Sequence, residues 1–103
     1  MNLSVRFEVE AAAEYRGAGR WYEDRRARLG VEFFDAVDAT LDRIARLPRA
    51  GARVPGVADD LPVRKAPVER FPYHAIYLET SATIRVLAVA HDRRRPGYWK
   101  SRL

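Results

Sequence analysis

The stretch from Val68 to Trp99 constrains this chain more than any other. It runs Val-Glu-Arg-Phe-Pro-Tyr-His-Ala-Ile-Tyr-Leu-Glu, breaks at Thr80–Thr83, and resumes as Ile-Arg-Val-Leu-Ala-Val-Ala-His before a basic tail, Asp-Arg-Arg-Arg-Pro-Gly-Tyr-Trp. Two apolar runs rich in β-branched and aromatic residues, joined by about four small residues, predict a β-hairpin. Strict alternation in the second run places Ile84, Val86, Ala88 and Ala90 on one face and Arg85, Leu87, Val89 and His91 on the other. The first set is uniformly apolar and is expected to pack on the rest of the chain. The second leaves an open face with an apolar floor and a basic rim.

The upstream half supplies what covers the hairpin. Leu3, Val5 and Phe7 alternate with Ser4 and Arg6, which predicts a short first strand. From Glu8 the period changes: Ala11, Tyr15, Ala18, Tyr22 and Leu29 follow helical spacing, with acidic residues in the first turns and Arg25, Arg26 and Arg28 in the last, as the helix dipole favours. Gly17 and Gly19 each lower helix propensity by roughly 1 kcal/mol relative to alanine, so a close backbone approach or a kink is expected there. Gly30 marks the predicted junction to a second helix, whose stripe is Phe34, Val37, Leu41 and Ile44 and which Pro48 stops. With almost no linker, the two helices are expected to form an antiparallel αα-hairpin. Arg49 to Asp60, rich in glycine and proline, reads as a loop, and Leu61 to Ala66 as a strand. The predicted order is β-α-α-β-β-β: one α+β domain over residues 1–103, an antiparallel sheet with the helical hairpin on one face and the other face free for a partner.

Several function classes are excluded or disfavoured. The chain has no cysteine, which removes disulfides, thiolate metal sites and a thiol nucleophile. No apolar run approaches the ~20 residues of a membrane span, and no apolar targeting segment opens the sequence, so a cytoplasmic protein is expected. Asp35, Asp38 and Asp42 stand on a polar helix face without a histidine, and His74 and His91 fall on different strands, so neither a metal nor another cofactor is expected. The formal charge of +5 is uneven: residues 1–60 carry ten basic and eleven acidic side chains, residues 61–103 nine and three. An anionic partner is therefore steered to the C-terminal half. The cations there include Arg64 and Lys65 on adjacent positions of one strand, Arg70, Arg85, and the run Arg93-Arg94-Arg95 beside Tyr98-Trp99. Such runs are commonly just solvated, and Trp99 could equally fold back as a cap on the sheet. Beside an aromatic pair, however, they also suit a polyanion.

The segments Trp21-Tyr22, Leu29-Gly30, Phe33-Phe34, Val54-Pro55-Gly56, Val63-Arg64-Lys65, Phe71 to Tyr77 and Val86 to Arg94, in this order and spacing, resemble the RelE/ParE superfamily of toxins from type II toxin–antitoxin systems. The similarity covers almost the whole chain. It implies a growth-inhibiting, plasmid-stabilising type of toxin in a hetero-oligomer with a cognate antitoxin, whose segment wraps across the open sheet face and helices. One branch of the superfamily resembles metal-free, ribosome-dependent endoribonucleases that cut messenger RNA. That chemistry needs a base for the 2′-hydroxyl, cations for the phosphorane charge and an acid for the leaving oxygen. Lys65 and Tyr98 match that branch by position. His74 and Asp92 stand where it carries arginines, although Arg70, Arg93 and Arg94 are near, and His91 titrates in the right range for an acid or base. The other branch, ParE-like, implies binding to DNA gyrase and a block of replication. Two departures among four matched positions favour the ParE-like reading, with Arg64, Lys65, Arg85, Arg93, Arg94 and Trp99 as the expected face for target or antitoxin. A non-toxic nucleic-acid-binding module is the third alternative.

Overall fold

The chain runs β1 (Ser4–Phe7), α1 (Val9–Arg25), α2 (Leu29–Arg46), β2 (Ala52–Arg53), β3 (Val63–Pro67), β4 (Tyr73–Thr80) and β5 (Thr83–His91), and ends in one 3-10 turn over Lys100–Arg102. The structure is a computed structural model describing residues 2–58 and 60–103; Asp59, one of the two aspartates that close the predicted loop, and Met1 lie outside that description.

The α+β class and the helical hairpin follow from the periodicities above. In α2 the buried positions include Phe33, Val37, Leu41 and Ile44, the three-four spacing that lays one stripe on the sheet, with Phe33 in the place expected of Phe34, which is half-buried against α1. The helices meet at a tight turn in which Arg28 takes a left-handed backbone (φ 73). The Glu23 carboxylate closes this turn by accepting from the backbone N–H groups of Arg28 (2.9 Å) and Gly30 (3.0 Å), two donors that the start of α2 would otherwise leave unpaired. Gly30, expected at the junction, lies instead in the first turn of α2. An added Cβ would press on the carbonyl oxygen of Gly19, so it serves the close crossing of the helices.

The sheet order is β1-β5-β4-β3-β2. It is mixed where a wholly antiparallel sheet was expected: β1 runs parallel to β5, with Ser4 opposite Thr83 and Phe7 opposite Val86, while the other pairs are antiparallel. Period-2 alternation carries no strand direction, and the partner of β1 lies at the far end of the chain. The predicted loop also holds a strand, β2, whose two residues are too few to show a period.

A second correction concerns which residues face the helices. Ile76 pairs with Ala88 and Tyr77 with Val86, so Leu87 is an extra residue in β5. A bulge of this kind turns the strand and reverses the parity of everything beyond it. Ile84 and Val86 face the helices as expected, but Val89 then joins them, while Ala88 and Ala90 join Leu87 in a second apolar cluster on the opposite face. That opposite face is not open. Trp99, 3% exposed, packs on it with Val63, Ile76 and Leu78, so the last residues of the chain cover part of the sheet.

Candidate functional site

β1 ends at Phe7, so β5 from Leu87 onward has no strand on the side away from β4. An edge of this sort needs partners for its free backbone groups. Here they are side chains. Glu14 of α1 accepts from the Val89 N–H (3.1 Å), and Arg102 donates to the Leu87 carbonyl (2.9 Å). The same Glu14 carboxylate receives both terminal nitrogens of Arg102 (2.9 and 3.1 Å) and the hydroxyl of Tyr98 (2.7 Å). The pair is nearly enclosed, with side chains 17% (Glu14) and 12% (Arg102) exposed, and it anchors the tail to the body of the fold. Burial and the Glu14 hydrogen bond push the Tyr98 phenol well above its ordinary range.

Between this tail, the Val54–Gly56 loop and the sheet lies a cavity of about 290 Å³. Its floor is Ile76, Ala90 and Trp99, and its rim carries Lys65, His74, His91, Asp92, Arg94 and Lys100. Two glycines with positive φ, Gly56 (φ 80) and Gly97 (φ 79), flank the Lys100 side chain, which passes where a Cβ on either would stand. The Arg94 guanidinium lies 3.9 Å above the Tyr98 ring centroid. His74 Nδ1 and Asp92 Oδ1 are 2.6 Å apart, so these two residues engage each other at the mouth of the cavity.

The sequence-predicted residues divide accordingly. Lys65, His91, Arg94 and Tyr98 line the cavity; Arg93 is exposed just outside it. The other candidates lie elsewhere. Arg64 shares the helix side with Tyr77 and donates to the Gly51 carbonyl (2.8 Å). Arg70 pairs with Glu32 of α2 (2.8 Å). Arg85 is held by Glu8 (2.8 Å) and by the carbonyl of Arg102 (2.6 Å). Trp99, expected on the contact face, is core. His91 stands opposite Tyr73 on the helix side of β5, and its Nδ1 accepts the Arg93 backbone N–H (3.0 Å), so the proton of the neutral ring is on Nε2.

Glu14, Arg102 and Lys100 are the residues that sequence reasoning missed. Glu14 sits between Ala11, Tyr15 and Ala18 on the inward stripe of α1, a weak sign that its carboxylate is used inside. Nothing local indicates a partner 88 residues away. Among the described residues no group of three or more His, Asp or Glu side chains is placed to hold a metal ion, and no helix is long and apolar enough to cross a membrane.

Comparison with known proteins bears on this architecture. A solved structure described as the chromosomal ParDE TA system from P. aeruginosa superposes with a TM-score of 0.71 at 18% identity, covering 86% of this chain and 95% of that one. It shares the fold. Curated protein sequences contain no match. The family described as "ParE toxin of type II toxin-antitoxin system, parDE" matches residues 5–96, nearly the full length. Its span takes in the helical hairpin, all of the sheet except Ser4, and the basic run at Arg93-Arg94-Arg95, and so the chain belongs to the ParE toxin family of type II toxin–antitoxin systems.

Proposed function

We propose that this toxin arrests growth by binding DNA gyrase and blocking replication, that it acts in the cytoplasm, and that a cognate antitoxin neutralises it in a hetero-oligomeric complex. One observation carries the preference for binding over catalysis: Arg70, His91 and Tyr98, three of the five groups that a metal-free ribonuclease would use, are engaged with the fold. The Tyr98 hydroxyl is given to Glu14, and burial together with that hydrogen bond disfavours the phenolate that a base would need. His91 spends its basic nitrogen on the Arg93 N–H. His74 faces Asp92, and Arg70 and Arg85 are ion-paired away from the cavity. Lys65, Arg93, Arg94 and Lys100 remain, with no ion pair among the described residues. That set suits attraction of an acidic protein segment, from target or antitoxin, and sets on-rate and register more than chemistry.

The ribonuclease reading keeps one point in its favour, since Lys65, His91 and Tyr98 do line a single cavity. A double variant separates the two. His91→Asn with Tyr98→Phe removes the two candidate proton-transfer groups His91 and Tyr98 while keeping shape, and leaves the lysines and the His74–Asp92 pair in the cavity. Growth arrest on induction is expected to persist in this variant. Loss of arrest by a variant that still folds and binds antitoxin, with message cleavage lost in parallel, would establish the ribonuclease instead.

A further inference from the structure

The fold uses Gly19 but not Gly17. A Cβ at Gly19 would overlap the Phe34 ring, so that glycine is needed where the helices cross. Gly17, two residues earlier and exposed, has open space where its Cβ would be. A mid-helix glycine facing solvent weakens α1 and brings nothing to the packing of this chain. Around it on the outer face of α1 lie Ala13 one turn before, Arg16 and Arg20 beside it, and Trp21 one turn after, all exposed. Trp21 is 52% exposed yet held in place: its ring meets Tyr22 edge-on at 5.1 Å, and the Arg25 guanidinium sits 3.6 Å from its centroid. Arg16, Arg20 and Arg25 form no ion pair among the described residues. The bare backbone at Gly17 is thus bordered by a pre-oriented tryptophan and three arginines without ion pairs, the residue types that dominate interface energetics. Glu10 and Asp24 on the same side mix the field, which suits a protein surface better than a phosphate backbone.

We infer that the outer face of α1, centred on Gly17 and Trp21, docks the toxin's target protein through a segment that presents carboxylates to Arg16, Arg20 and Arg25 and approaches the backbone at Gly17. The turn of the helical hairpin is closed by Glu23 and the Trp21 ring is braced by Tyr22 and Arg25, so the surface is formed before the partner arrives and little ordering cost is left to binding. This inference rests on the reading of the protein as a target-binding toxin and names a surface for that role.

The test uses Gly17→Leu and Trp21→Ala, measured for melting temperature, antitoxin affinity, self-association and growth arrest on induction. Leucine at position 17 fills open space and favours helix, so this variant is expected to melt at or above the wild-type temperature. Both variants are expected to bind antitoxin normally and to arrest growth at least roughly tenfold less effectively, the loss typical of a central interface contact. A stabilised protein with a weakened activity is a signature that a purely structural role cannot produce. Full arrest by both variants overturns the inference. So does loss of antitoxin affinity with arrest intact, which would give the face to the antitoxin, or conversion of a dimer to a monomer with arrest intact, which would give it to a second copy. Wild-type arrest with normal supercoiling sinks the gyrase reading alone, because arrest remains the readout for this face.

Discussion

Glu14→Ala tests how the tail is held. The carboxylate accepts four hydrogen bonds, two from Arg102 and one each from Tyr98 and Val89. Removing it leaves the Arg102 guanidinium, 12% exposed, with only backbone carbonyl for compensation. Breaking one side of a buried pair costs about 3–5 kcal/mol, and partial access of water here lowers that to roughly 3 kcal/mol. At this chain length ~1 kcal/mol corresponds to about 4 °C, so a fall of roughly 12 °C in melting temperature is expected. Arg102→Met alone is expected to cost less than Glu14→Ala, since a carboxylate with Tyr98 and Val89 still bound is better satisfied than a lone guanidinium. The double variant, Glu14→Ala with Arg102→Met, leaves no uncompensated charge and is expected to cost less than the two single changes together, giving a coupling of at least about 1.5 kcal/mol in a double-mutant cycle. Calorimetry or chemical denaturation of the four proteins measures it. Single costs that simply add would refute the claim that this pair fastens the tail.

Three further outcomes follow from the same geometry. All five tyrosines have phenols pushed above the ordinary value of 10, in each case chiefly by burial. A raised folded pKa means stability that is complete below pH 10 and lost as pH rises beyond it, so phenolate absorbance at 295 nm is expected to stay low at pH 10 and to appear together with alkaline unfolding; a tyrosine titrating at 10 in the folded state contradicts this. The Arg85 hydrogen bond holds the Glu8 carboxyl below its ordinary 4.5, a contribution present above that pH and lost as pH falls below it. Arg85→Met is therefore expected to flatten the acid limb of the stability curve, and an unchanged limb would show that the pair is inert. Gly19→Ala drives a methyl group into Phe34 and is expected to cost about 1–3 kcal/mol by denaturant titration, whereas a neutral result would show that the helix crossing can relax.

Local pattern carried much of the fold. The hairpin, the two helical stripes and the first strand each occupy a contiguous segment whose periodicity is its own signal, and their order follows. What escaped is what depends on a single residue or on distance along the chain. One extra residue at Leu87 inverts the facing of Ala88, Val89 and Ala90, and no alternation pattern announces it. The parallel pairing of β1 is invisible because direction has no period. Trp99 looked equally suited to a contact face and to a cap, and only the position of the 3-10 turn over the sheet decides for the cap. The basic rim was legible as a charge imbalance, but its membership was not: Arg64, Arg70 and Arg85 are drawn to Gly51, Glu32 and Glu8, partners that charge counting cannot supply. The departures at His74 and Asp92 proved to be a pair, one residue answering the other across 2.6 Å.

The central claim is that this ParE-family toxin works by binding and not by cutting RNA. Purified toxin added to a gyrase supercoiling reaction, and separately to a translation extract programmed with a defined message, tests that directly. Inhibited supercoiling with intact message is the expected result, reversed by prior addition of the antitoxin. Cleaved message with unaffected supercoiling would contradict it.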